Sequence, residues 1–476
     1  MQSATPPEVL LEILSHLMAE LHPEAASRLD ITLDSRLDRD LGLDSLARME
    51  LLARLERAFA VRLPEKALTT AETPRDLLRH LASAPTAATE PRRRPADFGS
   101  AGPATEVHTA ATLVEVLELH AGSHPAAGHI LLLQGEEEQL ITYGELREKA
   151  HQVAALLQSL ALEPGDTVAI MLPTGIDYFF CFFGVLYAGG VPVPLYPPAR
   201  PSQIEEHLRR HRKILANADA RILITVPEVK TVALLLKSQV PLLEQVLTID
   251  ELYRHERTSF ALPIAASATA FLQYTSGSTG DPKGVILSHA NLLANIRAMG
   301  QVCGVTAADV FVSWLPLYHD MGLIGAWLGS LYHGCRLVVM PPLAFIAHPE
   351  RWLMAIDRYR GTLSASPNFG YELCCTRLDD TQLERLDLSS WRLAFNGAEP
   401  VIPATLRRFE ERFARCGYRA TATTPVYGLA ESSVGLAFPP PSRGAVIDRI
   451  DRDIFLASRA AVTAGDPQVK VFEFVS

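Results

Sequence analysis

The chain has 476 residues, 48% of them hydrophobic, and a formal net charge of −10. That length suggests about three domains, and the acidic balance excludes a general nucleic-acid-binding role. None of the six cysteines (Cys181, Cys303, Cys335, Cys374, Cys375 and Cys416) falls in a C-x-x-C pair. They read as buried thiols of a reducing, cytoplasmic compartment.

The opening MQSATPPEVLLEIL lacks the basic n-region of a signal peptide. The next stretch places Leu10, Leu14, Leu17 and Leu21 on one helical stripe, flanked by Ile13 and Met18. Thr5 with Glu8 fits a capping box, and Pro6 suits a first turn. A second amphipathic helix runs through Leu46, Met49, Leu52, Leu55 and Phe59, with Glu50 and Arg54 one turn apart. Thr73 and Pro74 begin a short last helix carrying Leu77, Leu78 and Leu81. Together these predict a small all-α bundle. Ser45 stands at the start of the second long helix, after Gly42 and Asp44. On those residues alone, a capping serine is the simpler reading.

Residues 83–108 exchange apolar periodicity for small residues, prolines and the cluster Arg92–Arg94. This is a linker, spanning about 28 Å if flexible. From residue 109 onward, helical and strand patterns alternate, predicting an α/β domain with largely parallel sheets. Strand candidates include DTVAIML, VPVPLY, ARILIT, QVLTI, TAFLQYT, DVFVSWLP, CRLVVM, TLSASP and WRLAFNG. The uncharged run from Tyr178 to Ala199 approaches the length of a membrane helix, but its glycines and prolines break it into a buried helix and a strand.

One stretch is chemically bare. Thr275 to Gly284 holds two threonines, two serines, three glycines, an aspartate, a proline and a lysine. It is expected between the strand TAFLQYT and the helix SHANLLANIRAMG. Glycine amides and hydroxyls can converge on an anion there, and Lys283 adds a positive charge. It is not a Walker A loop, because Gly284 and Val285 follow the lysine.

The wording YTSGSTGDPKGV resembles the nucleotide-phosphate motif of the acyl-adenylate-forming synthetases. FNGAEP (395–400) and PVYGLAES (425–432) resemble further motifs of that superfamily, in order. LPLYHDMGLIG, SPNFGYELC and RGAVIDRIDRD resemble the fatty acyl-AMP ligase branch. The likeness covers residues 109–476. Residues 6–82 resemble an acyl carrier protein through LGLDSLARMELL. These likenesses imply three parts: a four-helix-bundle carrier (1–82), a linker (83–108) and the large α/β subdomain of an adenylate-forming enzyme (109–476).

The resemblance also implies a chemistry. ATP activates a fatty acid to acyl-AMP, and the acyl group passes to a 4′-phosphopantetheine thiol, in lipid or polyketide/lipopeptide biosynthesis. Ser45 would carry the arm. Thr275, Ser276, Gly277, Ser278, Thr279, Gly280 and Lys283 would hold the ATP phosphates. Asn396, Gly397, Ala398, Glu399, Tyr427 and Gly428 would surround adenine, and Glu431 would hold Mg²⁺. His319 would position the acyl carboxylate; no role for Asp320 follows from the sequence. Expected partners are a fatty acid, a carrier domain in cis or in trans, a phosphopantetheinyl transferase and downstream biosynthetic domains, with no nucleic acid and no membrane span. The family's pattern continues past residue 476 with a C-terminal subdomain bearing a lysine, so the chain reads as incomplete and poorly active alone. A long-chain acyl-CoA synthetase and a carrier module with an inactive adenylation half stay open as alternatives.

Overall fold

The computed structural model describes residues 6–475 apart from 22–30, 44, 60, 62, 64–66, 68–69, 85–106, 198–203, 254–258, 261, 276–281 and 466–469. The chain divides into two compact units. The first comprises residues 1–94 with 198–205 and 343–348; the second holds the remainder.

In the first unit, helices α1 (Pro6–Leu21), α2 (Ser45–Phe59) and α3 (Pro74–Ser83) are described. Leu10, Leu14, Leu17 and Met18 of α1 pack with Leu51 and Leu55 of α2 and Leu77 of α3. Burial of these side chains in one core is the main force holding so small a unit together. Thr73 caps α3 in a reciprocal box with Asp76. Arg54 donates to Glu50 at 2.7 Å, as its spacing predicts. Arg48 of α2 turns inward. It is buried, and its guanidinium donates to the Ala71 carbonyl at 2.7 Å. Thr5, expected to cap α1, lies outside the described residues.

The second unit contains strands β1 (Gly128–Gln134), β2 (Glu137–Thr142), β3 (Thr167–Met171), β4 (Val191–Pro194), β5 (Ala220–Thr225), β6 (Gln245–Thr248), β7 (Thr269–Thr275) and β8 (Lys283–Ser288). There follow β9 (Val310–Ser313), β10 (Arg336–Val339), β11 (Leu363–Ser366), β12 (Leu393–Asn396), β13 (Thr423–Pro425), β14 (Ile447–Asp451) and β15 (Val471–Val475). A seven-stranded sheet has the order β13-β12-β11-β9-β10-β1-β2, parallel except at β1–β2. A parallel four-stranded sheet has the order β4-β3-β5-β6. The apolar run around Phe182 and Phe183 forms a buried helix, Ile176–Tyr187, with Gly189 at φ +79° ending it before β4. Among the described residues, no helix is long and apolar enough to cross a membrane. All six cysteines are buried and free.

Two elements depart from the expected pattern. Ile141 and Thr142 close β2, absent from the strand candidates above, an edge strand whose charged, exposed residues mask strand periodicity. The stretch after the bare loop is not directly helical: Lys283–Ser288 forms β8, antiparallel to β7, with Thr275 opposite Lys283. β8 is mostly exposed, Ile286 included, so it lacks the inward-facing apolar alternation that identifies a strand. The bare loop therefore joins two strands of a hairpin. Ser288 then caps the next helix, His289–Cys303, reciprocally with Asn291.

Candidate functional site

In open parallel sheets, ligands bind beyond the carboxyl ends of the strands. Three expected site segments emerge there. β9 leads to His319, β12 ends at Asn396, and β13 ends two residues before Tyr427. β12 and β13 are in register, Asn396 opposite Pro425, and the Val426 amide donates to the Asn396 carbonyl at 2.8 Å. The two motifs, about thirty residues apart in sequence, are thus side by side.

A cavity of about 220 Å³ opens at this edge. Its lining includes Ala398, Tyr427 and Gly428 of the expected adenine set, together with His319 and Asp320. Ala398 sits in the left-handed region at φ +67°. Such strain in a residue with a side chain is typical of functional sites. Tyr427 is 63% exposed, while its backbone exchanges two hydrogen bonds with Ala437, which pin the ring's base. Gly428 admits no larger residue: an added Cβ would lie 1.6 Å from the Val434 carbonyl oxygen.

Asn396, Gly397 and Glu399 are not among the lining residues. Asn396 is fully buried and donates to Asn368 Oδ1 at 3.4 Å, with its own Oδ1 unpartnered among the described residues. Glu399 accepts the Phe369 amide at 2.6 Å. These two side chains brace the strand end. Glu431 lies on the turn Ala430–Ser432 with an exposed carboxylate. Lys283 is exposed at the start of β8, opposite Thr275. Ser276, Gly277, Ser278, Thr279 and Gly280 lie outside the described residues. β7, which leads into them, is tied to the His319 segment: Gln273 donates to the Tyr318 carbonyl at 2.9 Å. Ser45 begins α2, in the first unit.

Asp320 gains a part that spacing did not reveal. Its Oδ1 lies 2.8 Å from His319 Nδ1 and accepts the Met321 amide at 2.7 Å. His319 Nδ1 also lies 3.4 Å from the Met321 amide, so the ring is held along its Nδ1 edge and Nε2 is on its far side. His319 is half-exposed, so this orientation is set by Asp320 and not by packing.

The helix that Asp320 caps is a π-helix, Met321–Leu328, continued by the α-helical turn Gly329–His333. π-Helical segments are rare and concentrate at functional sites. Met321, Gly325, Gly329 and His333 recur every fourth residue, and all line the cavity. Opposite them stand Ile296, Met299, Gly300 and Cys303 of the His289–Cys303 helix. The inner end is mostly apolar and electrically quiet. Burial pushes the Cys303 thiol up to about 11, raises that of Cys335 and lowers the His333 imidazole. The stretch GAWLGSLYHG is as consistent with core helix as with tunnel wall on composition; the glycine spacing of four was the available signal.

A comparison with known protein families places this geometry. The AMP-binding enzyme profile matches residues 117–463. The chain belongs to the AMP-binding enzyme family. A second profile, the phosphopantetheine attachment site, matches residues 12–81 and so includes Ser45. The chain is 34% identical over 371 residues to the medium-chain-fatty-acid–[acyl-carrier-protein] ligase JamA of Moorena producens, covering 76% of this chain and 62% of that protein. It is 35% identical over 368 residues to a ligase of the same description, TtuA of Teredinibacter turnerae, covering 68% and 56%. The chain therefore spans 56% to 62% of the length of these two curated relatives. Among solved structures, the fatty acyl-adenylate ligase from L. pneumophila in complex with acyl adenylate and pyrophosphate aligns with a TM-score of 0.71 at 34% identity, covering 78% of this chain and 64% of that one. The α/β fold with a helical N-terminal unit agrees with membership of this family.

Proposed function

We propose that the chain is the carrier and large catalytic part of a fatty acyl-AMP ligase that loads a phosphopantetheine thiol. One observation carries the reading: a single cavity runs from Tyr427, Gly428 and Ala398, past His319, to a mostly apolar inner end. That is the shape of an acyl-adenylate, with base and phosphate outside and hydrocarbon inside. The relatives named for fatty-acid and carrier-protein ligation, and the solved acyl-adenylate complex, support it.

The reaction joins a carboxylate oxygen to the α-phosphorus of ATP and expels pyrophosphate. Two anions must meet, so positive charge and fixed donors have to screen them. Lys283 and the hydroxyl-rich stretch 275–280 supply such groups beside the phosphates. Tyr427 offers its ring face to the base. His319, held by Asp320, orients the incoming carboxylate. Among the described residues no group of three or more potential ligands gathers for a metal. A single exposed carboxylate suits Mg²⁺, which leans on substrate phosphates. Glu431 would hold it, and bound Mg²⁺ would offset phosphate charge. Ser45 at a helix N-terminus suits a phosphodiester, because free amides and the helix dipole favour an anion. The attached arm supplies the thiol that accepts the acyl group. The carrier unit makes a thiol tethered in cis the preferred acceptor over free coenzyme A, with an effective concentration on the order of mM. A phosphopantetheinyl transferase would install the arm, and downstream biosynthetic domains would take the acyl group.

The test uses the chain with a non-hydrolysable acyl-sulfamoyl-adenosine. Saturable binding, lost in Tyr427→Ala, is expected; absence of binding sinks the reading. Treatment with a phosphopantetheinyl transferase should add one arm, and Ser45→Ala should abolish the mass increment. An arm added elsewhere would remove Ser45 from its role.

A further inference from the structure

The cavity runs from the carboxyl ends of the strands, where His319, Ala398 and Tyr427 stand, toward their amino ends, where Phe311 of β9 and Leu363 of β11 lie in register. Just before β12, β11 and β9, neighbours in the sheet, stand Arg392, Thr362 and Asp309. They meet at Asp309. Arg392 donates from Nε to Oδ1 and from Nη2 to Oδ2, both at 2.8 Å. The Thr362 hydroxyl donates to Oδ1 at 2.7 Å, and the Thr306 amide to Oδ2 at 2.9 Å. Asp309 is only 5% exposed, so this two-pronged ion pair with two further donors is what keeps a buried carboxylate matched.

The same guanidinium reaches the cavity wall. Its Nη1 donates to the Cys303 carbonyl at 2.9 Å and its Nη2 to the Gly304 carbonyl at 3.0 Å. These are terminal carbonyls of the His289–Cys303 helix, which stops at Gly304 in the left-handed region, φ +57°. Such carbonyls lack partners within their own helix and favour a cation. Arginine spans both of them and the carboxylate with one planar fork, which the single point of a lysine ammonium cannot do. Each segment tied to Asp309 or Arg392 carries a lining residue: Cys303 itself, Val305 before Thr306, Leu363 after Thr362, and Phe311 two residues after Asp309. Cys335 also lines the cavity, and its thiol donates to the Thr306 carbonyl at 3.1 Å. The Arg392 side chain is 29% exposed, so solvent lies beyond it. The hub is the last layer at the inner end.

We propose that the Asp309–Arg392 hub is a length stop: it fixes the inner end of the cavity and so sets the longest acyl chain that fits. The proposal rests on the acyl-adenylate reading and names the residues that decide specificity within it. Arg392 touches no substrate; it is a positioning residue that acts through Cys303 and Val305. A chain shorter than the stop gains affinity with each methylene it buries. A longer one has to push segment 303–309 away from hydrogen bonds that converge on one carboxylate.

The experiment measures affinity of the chain for saturated acyl-sulfamoyl-adenosines of increasing length by calorimetry. In the unaltered protein, affinity should climb about fourfold per methylene up to one length and then stop climbing. Arg392→Lys keeps a cation beside the carboxylate but loses the fork. The double variant Asp309→Asn with Arg392→Met removes both charges together, so neither protein leaves a buried charge alone. In both, the limit should move outward by about two methylenes, and the first analogues past the original limit should gain about tenfold. Shorter analogues should bind as before. Arg392→Lys decides by itself if the double variant does not fold. A limit unchanged in Arg392→Lys would overturn the proposal and leave the ligase reading intact. Equal weakening at every length would do the same, because that is what a clamp serving stability alone gives. A climb without any limit in the unaltered protein would also overturn it. Failure of every analogue to bind would overturn both readings.

Discussion

The mouth and the inner end of the cavity are built from different materials. At the mouth, Tyr427 is exposed, His319 is half-exposed, and Ala398 is held at a strained backbone angle. These residues come from short segments at the carboxyl ends of β9, β12 and β13. The inner end is formed by buried helix faces, with Cys303, Cys335 and Leu363 deeply enclosed. The mouth holds reacting groups by hydrogen bonds and backbone pins. The inner end holds space by leaving side chains out. On the proposed function, chemistry and chain selection are therefore separable by mutation.

The sharpest break of that contrast comes at the mouth. Glu431→Gln should lower acyl-adenylate formation by about a hundredfold or more, the scale of losing one preset electrostatic group. Acyl-analogue affinity measured without magnesium should barely change. A comparable loss of that affinity would mean that Glu431 shapes the pocket. At the inner end, Gly325→Leu should cut binding of long acyl-adenylate analogues by about tenfold to a hundredfold through lost apolar burial. ATP binding should stay as it was. The cavity edge at Gly325 has open space, so the variant should fold. Equal loss of ATP binding would show that the two ends are not independent.

A smaller effect belongs to Asp320→Asn. Asparagine removes the carboxylate charge beside Nδ1. Turnover at low fatty-acid concentration should fall about tenfold, one hydrogen bond to a charged group. The pH profile should shift, whereas Asp320→Glu should restore part of the rate. An unchanged profile would reduce Asp320 to a helix cap.

The smallest effect is on stability. His289 starts the helix that walls the inner end; its Nδ1 accepts the Leu113 amide at 3.2 Å, and burial pushes its imidazole down to about 4. Its folded value lies below the unfolded one of about 6.5. Its contribution is therefore complete above pH ~6.5 and is lost as pH falls toward 4, at about 1.4 kcal/mol per pH unit. Thermal unfolding between pH 7 and pH 5 should show a falling Tm, with a shallower fall in His289→Gln. Equal slopes would mean that other groups set the acid limit.

Much of this protein was legible before any coordinates. Helical stripes marked the N-terminal bundle, because Leu10, Leu14 and Leu55 must be buried together somewhere, and the resemblance of LGLDSLARMELL marked it as a carrier. The order of YTSGSTGDPKGV, FNGAEP and PVYGLAES pointed to the family whose profile matches residues 117–463. The strands of the parallel sheets were equally clear where both faces are buried, as in β5 and β10. β2 and β8 were not, because an exposed edge strand needs no apolar alternation.

What tertiary structure alone decided was who faces whom. Asn396 turned into the core while Ala398, two residues on, turned to the cavity. Asp320 became the partner of His319, and Arg48 became a buried donor in place of a surface charge. The apolar end of the cavity emerged only when a π-helix brought every fourth residue onto one wall opposite a distant helix. A motif is a local arrangement that its own residues can specify. A cavity is the space left by packing several segments, and no single segment contains it.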